Sequence, residues 1–402
     1  ANTFNPLDYG ARGDGVTDDT AAVRATLAAA AAAAPSGGAT VVIPAGYVFL
    51  TGAFNLSSHL LVQLDGNLRA TNAFTGFADV VAHFPIVPPL PWYGGGQDAQ
   101  MSGAPEYQAW ILAFGATNIT IAGAGTLDGG GAPWWACLGT SSPPCYGVSR
   151  PQLMRLVHTT DVALSGFTAI DSPSWTIHLA NTSRVSVTAV TVTAPASSHN
   201  TDGFDVDCSD NVVIQGCTYS GGDDAIAVKS GIDWLGRTYG RPSHDVVVRS
   251  LRVGTSHGLS VGSEMSAGVY NVLFDGVVMN GSATGAHVKS CRGRGGVVSN
   301  VTYRDLTLVD VGLAVYVTLN YHAGLPPTNA TATPRFDNIT VVNVTSVNAG
   351  AAVEFDGLPE STIEGVLLAD ATFVGSAKFE VKCDYTQGAC AGVVSPACPS
   401  CF

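Results

Sequence analysis

Charge is scarce in this sequence. Only 12% of its 402 residues are Asp, Glu, Lys or Arg, and 31 acidic against 18 basic residues give a net charge of −13. That balance argues against a nucleic-acid binder, and any polyanionic partner needs a locally basic site. Long apolar runs are also lacking. Nothing approaches the about 18 consecutive apolar residues of a membrane span. The longest run, Ala25 to Ala34, is mostly alanine and suits a surface helix. No second Cys-x-x-Cys or His-x-x-x-His accompanies Cys398 and Cys401, which argues against zinc. The chain opens at Ala1 with no Met, charged segment or apolar signal segment, as expected of a processed, secreted form. A 46% apolar content is ample for a core and excludes disorder.

Nine cysteines include the close pairs Cys137/Cys145, Cys208/Cys217, Cys383/Cys390 and Cys398/Cys401. Each spacing allows a short disulfide loop, and Cys291 is left over. Eight N-x-S/T sequons stand at Asn55, Asn118, Asn181, Asn280, Asn300, Asn329, Asn338 and Asn343. Together they fit an extracellular glycoprotein. Asn118, Asn300 and Asn338 also sit at repeated turns, where amide ladders offer a competing explanation.

One helix signal stands out. Thr17 to Thr20 offers N-cap chemistry, Ala21 to Ala34 favours helix, and Pro35-Ser36-Gly37-Gly38 stops it. Beyond it the chain repeats a turn followed by a β-branched strand. The markers are Asn118-Ile119, Asp161-Val162, Arg184-Val185, Asn211-Val212, Asp245-Val246, Asn271-Val272, Asn300-Val301, Asn338-Ile339 and Thr362-Ile363. A shortest spacing of about 23 residues with variable insertions matches a solenoid. The expected architecture is all-β: a right-handed parallel β-helix, each coil stacked about 4.8 Å on the last. It forms a single domain over 1–402, with an N-terminal cap region at 1–50 that includes the helix and a Cys-rich tail at 380–402.

Polar clusters fall on four successive coils: Asn200-Thr201-Asp202, Gly222-Asp223-Asp224, His257-Gly258 and Lys289. Each alone reads as a turn. Together, at two recurring offsets from their markers, they meet what a single cleft requires. Inverting glycosidases pair two carboxyl groups about 6.5–9.5 Å apart, one as acid and one as base. Crowding raises one carboxyl's pKa and supplies the protonated partner. Neighbouring strand residues point to opposite faces, so Asp223 and Asp224 share a cleft only if the backbone bends there.

These residues resemble glycoside hydrolase family 28, the polygalacturonases of the pectin-lyase-like fold. The likeness covers nearly the whole chain. Asp8 to Thr20 (DYGARGDGVTDDT) is similar to that superfamily's N-terminal signature, and NTD, GDD and HG stand at Asn200–Asp202, Gly222–Asp224 and His257–Gly258. Ser172 to Trp175 and Gly262 to Met265 resemble further stretches around the cleft. The resemblance implies hydrolysis of α-1,4-galacturonosidic bonds with inversion. Asp223 would act as acid, Asp202 and Asp224 would activate water, and His257 would tune the acid. It implies no cofactor and no metal, a pectin substrate, no nucleic-acid or membrane partner, and a monomer. Candidate substrate contacts are Asn200, Lys229, His287, Lys289, Arg292, Arg294 and Tyr321.

The family's Arg-Ile-Lys, which grips the carboxylate beside the scissile bond, reads His287-Val288-Lys289 here. His cannot form the bidentate fork of Arg. Either Arg292 or Arg294 substitutes, or that subsite takes something other than plain galacturonate, as in xylogalacturonan or rhamnogalacturonan; a turn residue without function is the plain alternative. Nine of the 18 basic residues lie between Lys229 and Arg304, which suggests a cleft attractive to polyuronides. Insertions at 79–110 and 131–150 carry Trp92, Tyr93, Trp134 and Trp135. These either stack on sugars and favour exo action, or pack the loops down. A calcium-dependent lyase and a non-catalytic solenoid are the competing classes.

Overall fold

The computed structural model describes residues 2–93, 104–321 and 332–402. Eight of the nine expected turns become the start of a coil. Asn118, Asp161, Arg184, Asn211, Asp245, Asn271, Asn300 and Asn338 are all left-handed, with φ between 52° and 58°. Asn and Asp tolerate that region best, which explains their recurrence at these sites. A second left-handed residue follows at Gly166, Ala189, Gly216, Ser250, Gly276, Asp305 and Asn343, so each of these coils bends again after a short strand.

The strands stack parallel and in register. Ile119, Val162, Val185, Val212, Val246, Val272, Val301 and Ile339 form one column of buried side chains. This is the right-handed parallel β-helix expected from the repeat. The ninth coil begins elsewhere than expected: Thr340 pairs with Leu367, so Gly365-Val366, not Thr362-Ile363, stands opposite Asn338-Ile339. Gly365 takes the left-handed position (φ 65°) and leaves no Asn signal to read. Along the turns, Asn271 donates to Asp245 (3.1 Å), Asn300 to Asn271 (2.6 Å) and Asn338 to Asn300 (3.2 Å). The amide ladder is therefore real at two of the sequons. Asn55, Asn118, Asn280 and Asn343 are also exposed, Asn181 is half-buried, and Asn329 lies outside the described residues.

Helix α1 (Thr20–Ala33) buries Ala22, Val23, Leu27 and Ala30 against the first strands and caps that end of the core. Its N-cap Asp19 makes no capping bond; the carboxylate accepts instead from the backbone N–H of Arg12 (2.7 Å) and Gly13 (3.0 Å). Asp18 accepts from the Thr20 N–H at 3.0 Å. Among the described residues no helix is long and apolar enough to cross a membrane.

A second parallel sheet supplies the wall that carries the polar clusters. Its central strands are β1 (Met154–Val157), β2 (Ile177–Ala180), β3 (Phe204–Asp207), β4 (Ile226–Lys229), β5 (Leu259–Val261), β6 (Thr284–Lys289) and β7 (Leu313–Thr318). Residues 380–402 are more than a tail: Lys378–Asp384 and Thr386–Ser395 extend both sheets.

Cys137–Cys145 is bonded as its spacing suggested. At the C-terminus the pairing is Cys383–Cys401 and Cys390–Cys398, because the last residues fold back over the final strands. Cys208 and Cys217 are free, as is Cys291. The strand Asp210–Gln215 runs between the first two. Six extended residues span about 20 Å, far beyond the about 7 Å limit for a disulfide.

Candidate active site

Alternation along the second sheet turns every other residue toward the outer face. In register on that face stand Arg155, His178, Asp205, Ala227, Ser260, His287 and Tyr316, one from each of β1 to β7. Asp202, Asp223, Asp224 and His257 precede their strands at the adjoining bend. Backbone bonds stack these bends coil on coil: Gly203 N–H on Asp224 O (2.9 Å), Ala225 N–H on Gly258 O (2.9 Å) and His257 N–H on Asp223 O (2.8 Å). The chain does bend at Asp223-Asp224, before β4, so both carboxylates reach one cleft.

Asp202, Asp223 and Asp224 bring carboxylate oxygens within 4.8 Å of one another. This is tighter than the about 6.5–9.5 Å of a two-carboxylate inverting pair, because neighbouring coils sit only one strand spacing apart. Cations surround the cluster. Lys289 Nζ lies 2.8 Å from Asp224, His257 Nδ1 3.2 Å from Asp223, and Lys229 Nζ 3.9 Å from Asp202. Ser260 Oγ donates to Asp224 at 2.7 Å. Three carboxylates so close could offer ligands to a cation; Lys289, His257 and Lys229 supply positive charge beside them.

Crowding does not shift the carboxyls of this cluster alike. Burial, then the charges of Asp223 and Asp205, push Asp202 well above the carboxylate range. Burial also raises Asp223, but its hydrogen bond to His257 and the charges of His257 and Lys289 outweigh it and hold it below its ordinary value. His257 rises in return, chiefly through that hydrogen bond. Asp202 and Asp223 are thus pushed in opposite directions, and Asp205 is raised by burial as Asp202 is. Asp223 is the most exposed of the three, with 16% of its side chain accessible against 3% and 2% for Asp202 and Asp224.

Lys229, expected as a substrate contact, is buried among Glu264 (3.1 Å), Asp205 (3.5 Å) and Asp202, with its ammonium 4.2 Å from the Trp175 ring. It holds the cleft floor together. Glu264 belongs to the Gly262–Met265 stretch that the resemblance placed around the cleft, whereas Asp205 was not foreseen. The signal was available in Phe204-Asp205-Val206-Asp207, where carboxylates alternate with apolar residues on a strand.

His287 is buried on β6, not a turn residue. It stacks on Tyr316 (5.0 Å, 13°) and meets Ser260 Oγ at 3.3 Å, while Nε2 finds no hydrogen-bond partner among the described residues. Burial, with Lys289 and His257 nearby, lowers its pKa well below the usual value, so it is neutral. Neither expected substitute faces the cleft as a free cation: Arg292 pairs with Glu360 and Arg294 with the buried Asp233. Lys289 is committed to Asp224 and lies 5.0 Å from the Tyr321 ring. The clustering of basic residues between 229 and 304 thus does not make an open cationic cleft. Arg241 and Arg304 pair with Asp210 and Asp275, Arg237 binds backbone carbonyls, and Arg249 and Arg252 lie exposed on the other sheet.

Beside the carboxylates, toward the N-terminal coils, lies a cavity of about 480 Å³. Insertion residues Tyr93, Leu138 to Ser141 and Gly147 to Arg150 form one wall; Arg155, Trp175, His178 and Asn200 form another. The loop tryptophans mostly pack the loops down. Trp92 is buried and donates to Asp207 (2.8 Å), Trp134 is buried among Phe74, Phe84 and Tyr107, and Trp135 donates to Ser172 O (3.0 Å). Below the cavity Gln152 Oε1 accepts from Arg155 (2.9 Å) and meets His178 Nδ1 (3.0 Å), whose Nε2 lies 3.1 Å from Asp207. Asn200, left-handed at φ 58°, turns its amide oxygen to Arg150 (2.8 Å). Arg150 was not foreseen, because its insertion carries no periodic signal.

The profile of glycosyl hydrolases family 28 matches residues 36–398. A probable polygalacturonase of Vitis vinifera is 31% identical over 99% of this chain and 80% of its own length. An endo-polygalacturonase of Pectobacterium carotovorum is 28% identical over 76% of this chain and 73% of its own. The solved exopolygalacturonase of Thermotoga maritima superposes with a TM-score of 0.84 at 25% identity, covering 97% of this chain and 90% of that one. The likeness noted at the scattered short motifs therefore extends through the whole stack of coils, and this chain belongs to glycosyl hydrolases family 28.

Proposed function

We propose that this protein is a secreted, polygalacturonase-like hydrolase that cleaves α-1,4-galacturonosidic bonds of pectin. The three-carboxylate cluster on stacked coils is the observation that carries the reading. Asp223, reachable from solvent, donates a proton to the leaving oxygen; Asp202 and Asp224 orient and deprotonate the attacking water, and the anomeric configuration inverts. Asp223 must carry a proton when the leaving oxygen departs, and carboxylates this close titrate as a group. His257, on the open side of Asp223, sets how strongly that proton is held. Three disulfides support an oxidising compartment. The insertion-walled cavity at one end of the cleft supports exo action.

A second reading, xylogalacturonan or rhamnogalacturonan hydrolysis, is favoured by one observation. Beyond Asp224 the neutral His287 and the engaged Lys289, Arg292 and Arg294 leave that subsite without a free carboxylate fork. Product analysis on homogalacturonan, xylogalacturonan and rhamnogalacturonan tests both. Monomer alone as the early product of homogalacturonan establishes exo hydrolysis, and a ladder of oligomers removes it. Release of the α-anomer's inverted partner, followed by proton NMR, checks the stereochemistry; a retained anomer overturns the water-activation roles. Unsaturated products lost on chelation would mean a lyase, and no new ends from any substrate would mean no catalysis.

A further inference from the structure

Burying a guanidinium without a carboxylate is costly, and proteins seldom do it without a ligand to receive the charge. Among the described residues five cationic side chains are buried, and four have carboxylate partners. Lys229 rests on Glu264 (3.1 Å), Lys289 on Asp224 (2.8 Å), Arg294 on Asp233 (2.7 Å), and Arg155 on Glu106 (2.9 Å from Nη2). The fifth, Arg150, is 8% exposed and has no ion pair. Its Nη1 donates to the carbonyls of Pro173 (2.7 Å) and His199 (2.9 Å), and its Nη2 to the Asn200 amide oxygen. Of its five N–H groups, three thus go to neutral acceptors, leaving two uncommitted. Residues 94–103 and 322–331 contain no Lys or Arg that could share its task.

The surroundings of Arg150 are those of a binding site. It lines the cavity together with Trp175, His178 and Asn200. At about 480 Å³ that space falls in the range of small-ligand sites. The fields of Asp202 and Asp223 reach Arg150, and Asn200 on the cavity wall sits two residues before Asp202, so the cavity lies on the approach to the carboxylates; its one lining carboxylate, Glu106, is paired with Arg155. Neutral acceptors fix the guanidinium plane without cancelling its charge, which suits a fork awaiting a carboxylate. On the other side of the carboxylates every buried cation is already engaged.

We propose that Arg150 is the specificity-determining cation of this protein, seating the carboxylate of a hexuronate in the cavity on the N-terminal side of Asp202 and Asp223. Recognition of the acid thereby rests on a residue outside the basic cluster of the sequence. The proposal deepens the pectin-hydrolase reading and presupposes it.

The test needs first only the protein as it stands. Competitive inhibition of pectin hydrolysis is compared for free galacturonate, its methyl ester and galactose. A charge-assisted bond predicts that galacturonate binds about 10- to 100-fold more tightly than either neutral sugar. Equal inhibition by all three overturns the proposal. In Arg150→Gln, which keeps neutral donors, that preference should fall below about threefold, with KM for polygalacturonate rising more than kcat falls. A purely structural Arg150 would instead lower the melting temperature and leave the preference intact. Should that variant fold poorly, a galacturonate soak of wild-type crystals decides: the sugar carboxylate lies within hydrogen-bond distance of Arg150, or the proposal falls. Failure of the hydrolase reading looks different, since wild-type protein would then release no reducing ends from any pectin fraction.

Discussion

Glu264 offers the sharpest check on how the cleft floor is held. Its carboxylate is buried and lies 3.1 Å from Lys229 Nζ. Burial raises its pKa, but Lys229, then Arg294 and Lys289, outweigh that and bring it from 4.5 to about 2. The folded value lies below the unfolded one, so its contribution to stability is full above about pH 4.5 and is lost as the pH falls toward 2. That difference corresponds to about 3 kcal/mol at neutral pH and under half of it at pH 3, about 1.4 kcal/mol. Glu264→Gln should therefore lower stability by about 3 kcal/mol at pH 7. With an unfolding entropy of about 2.1 cal/mol/K per residue, a chain this long melts about 4 °C lower. Calorimetry of both proteins at one scan rate from pH 7 to pH 3 should show the gap shrinking to about 2 °C. A gap that stays constant, or widens in acid, would refute the ion-pair account of the floor.

Asp223→Asn should lower turnover on polygalacturonate by about 10²- to 10⁴-fold, the usual worth of a general acid, with the melting curve preserved; near-normal release of reducing ends would remove Asp223 from that role. His257→Gln takes away the hydrogen bond and charge that hold Asp223 down, so the Asp223 pKa rises and the kcat/KM profile moves to higher pH. An unmoved profile would mean His257 does not govern the acid. Peptide mapping under non-reducing conditions should recover Cys383–Cys401 and Cys390–Cys398, with Cys208, Cys217 and Cys291 alkylated only after denaturation; a Cys208–Cys217 peptide would contradict the strand spacing.

Much of the coil architecture could be read in advance because left-handed turns select Asn and Asp. Gly365 shows where that reading fails, since glycine serves the same position without the same signature. The carboxylate cluster was legible for a related reason: unusual polar residues recurred on consecutive coils, and stacking brings successive coils together. Its electrostatics were not legible. Burial raises the Asp202 pKa, while His257, 3.2 Å from Asp223, helps hold that carboxyl down, and neither effect is encoded in spacing.

The sequence by itself determined the repeat, the inward column of Val and Ile, and the residues that share the cleft, because each follows from local conformational preference and a periodic pattern. Only the tertiary structure decided which cations are free. Nine basic residues between 229 and 304 suggested an open positive cleft, yet on folding most meet a carboxylate or turn away. Among the described residues the buried lysine or arginine left without an ionic partner is Arg150, in an insertion with no repeat signal. Charge is counted along the chain, but it is cancelled across space, and the partners lie tens of residues apart.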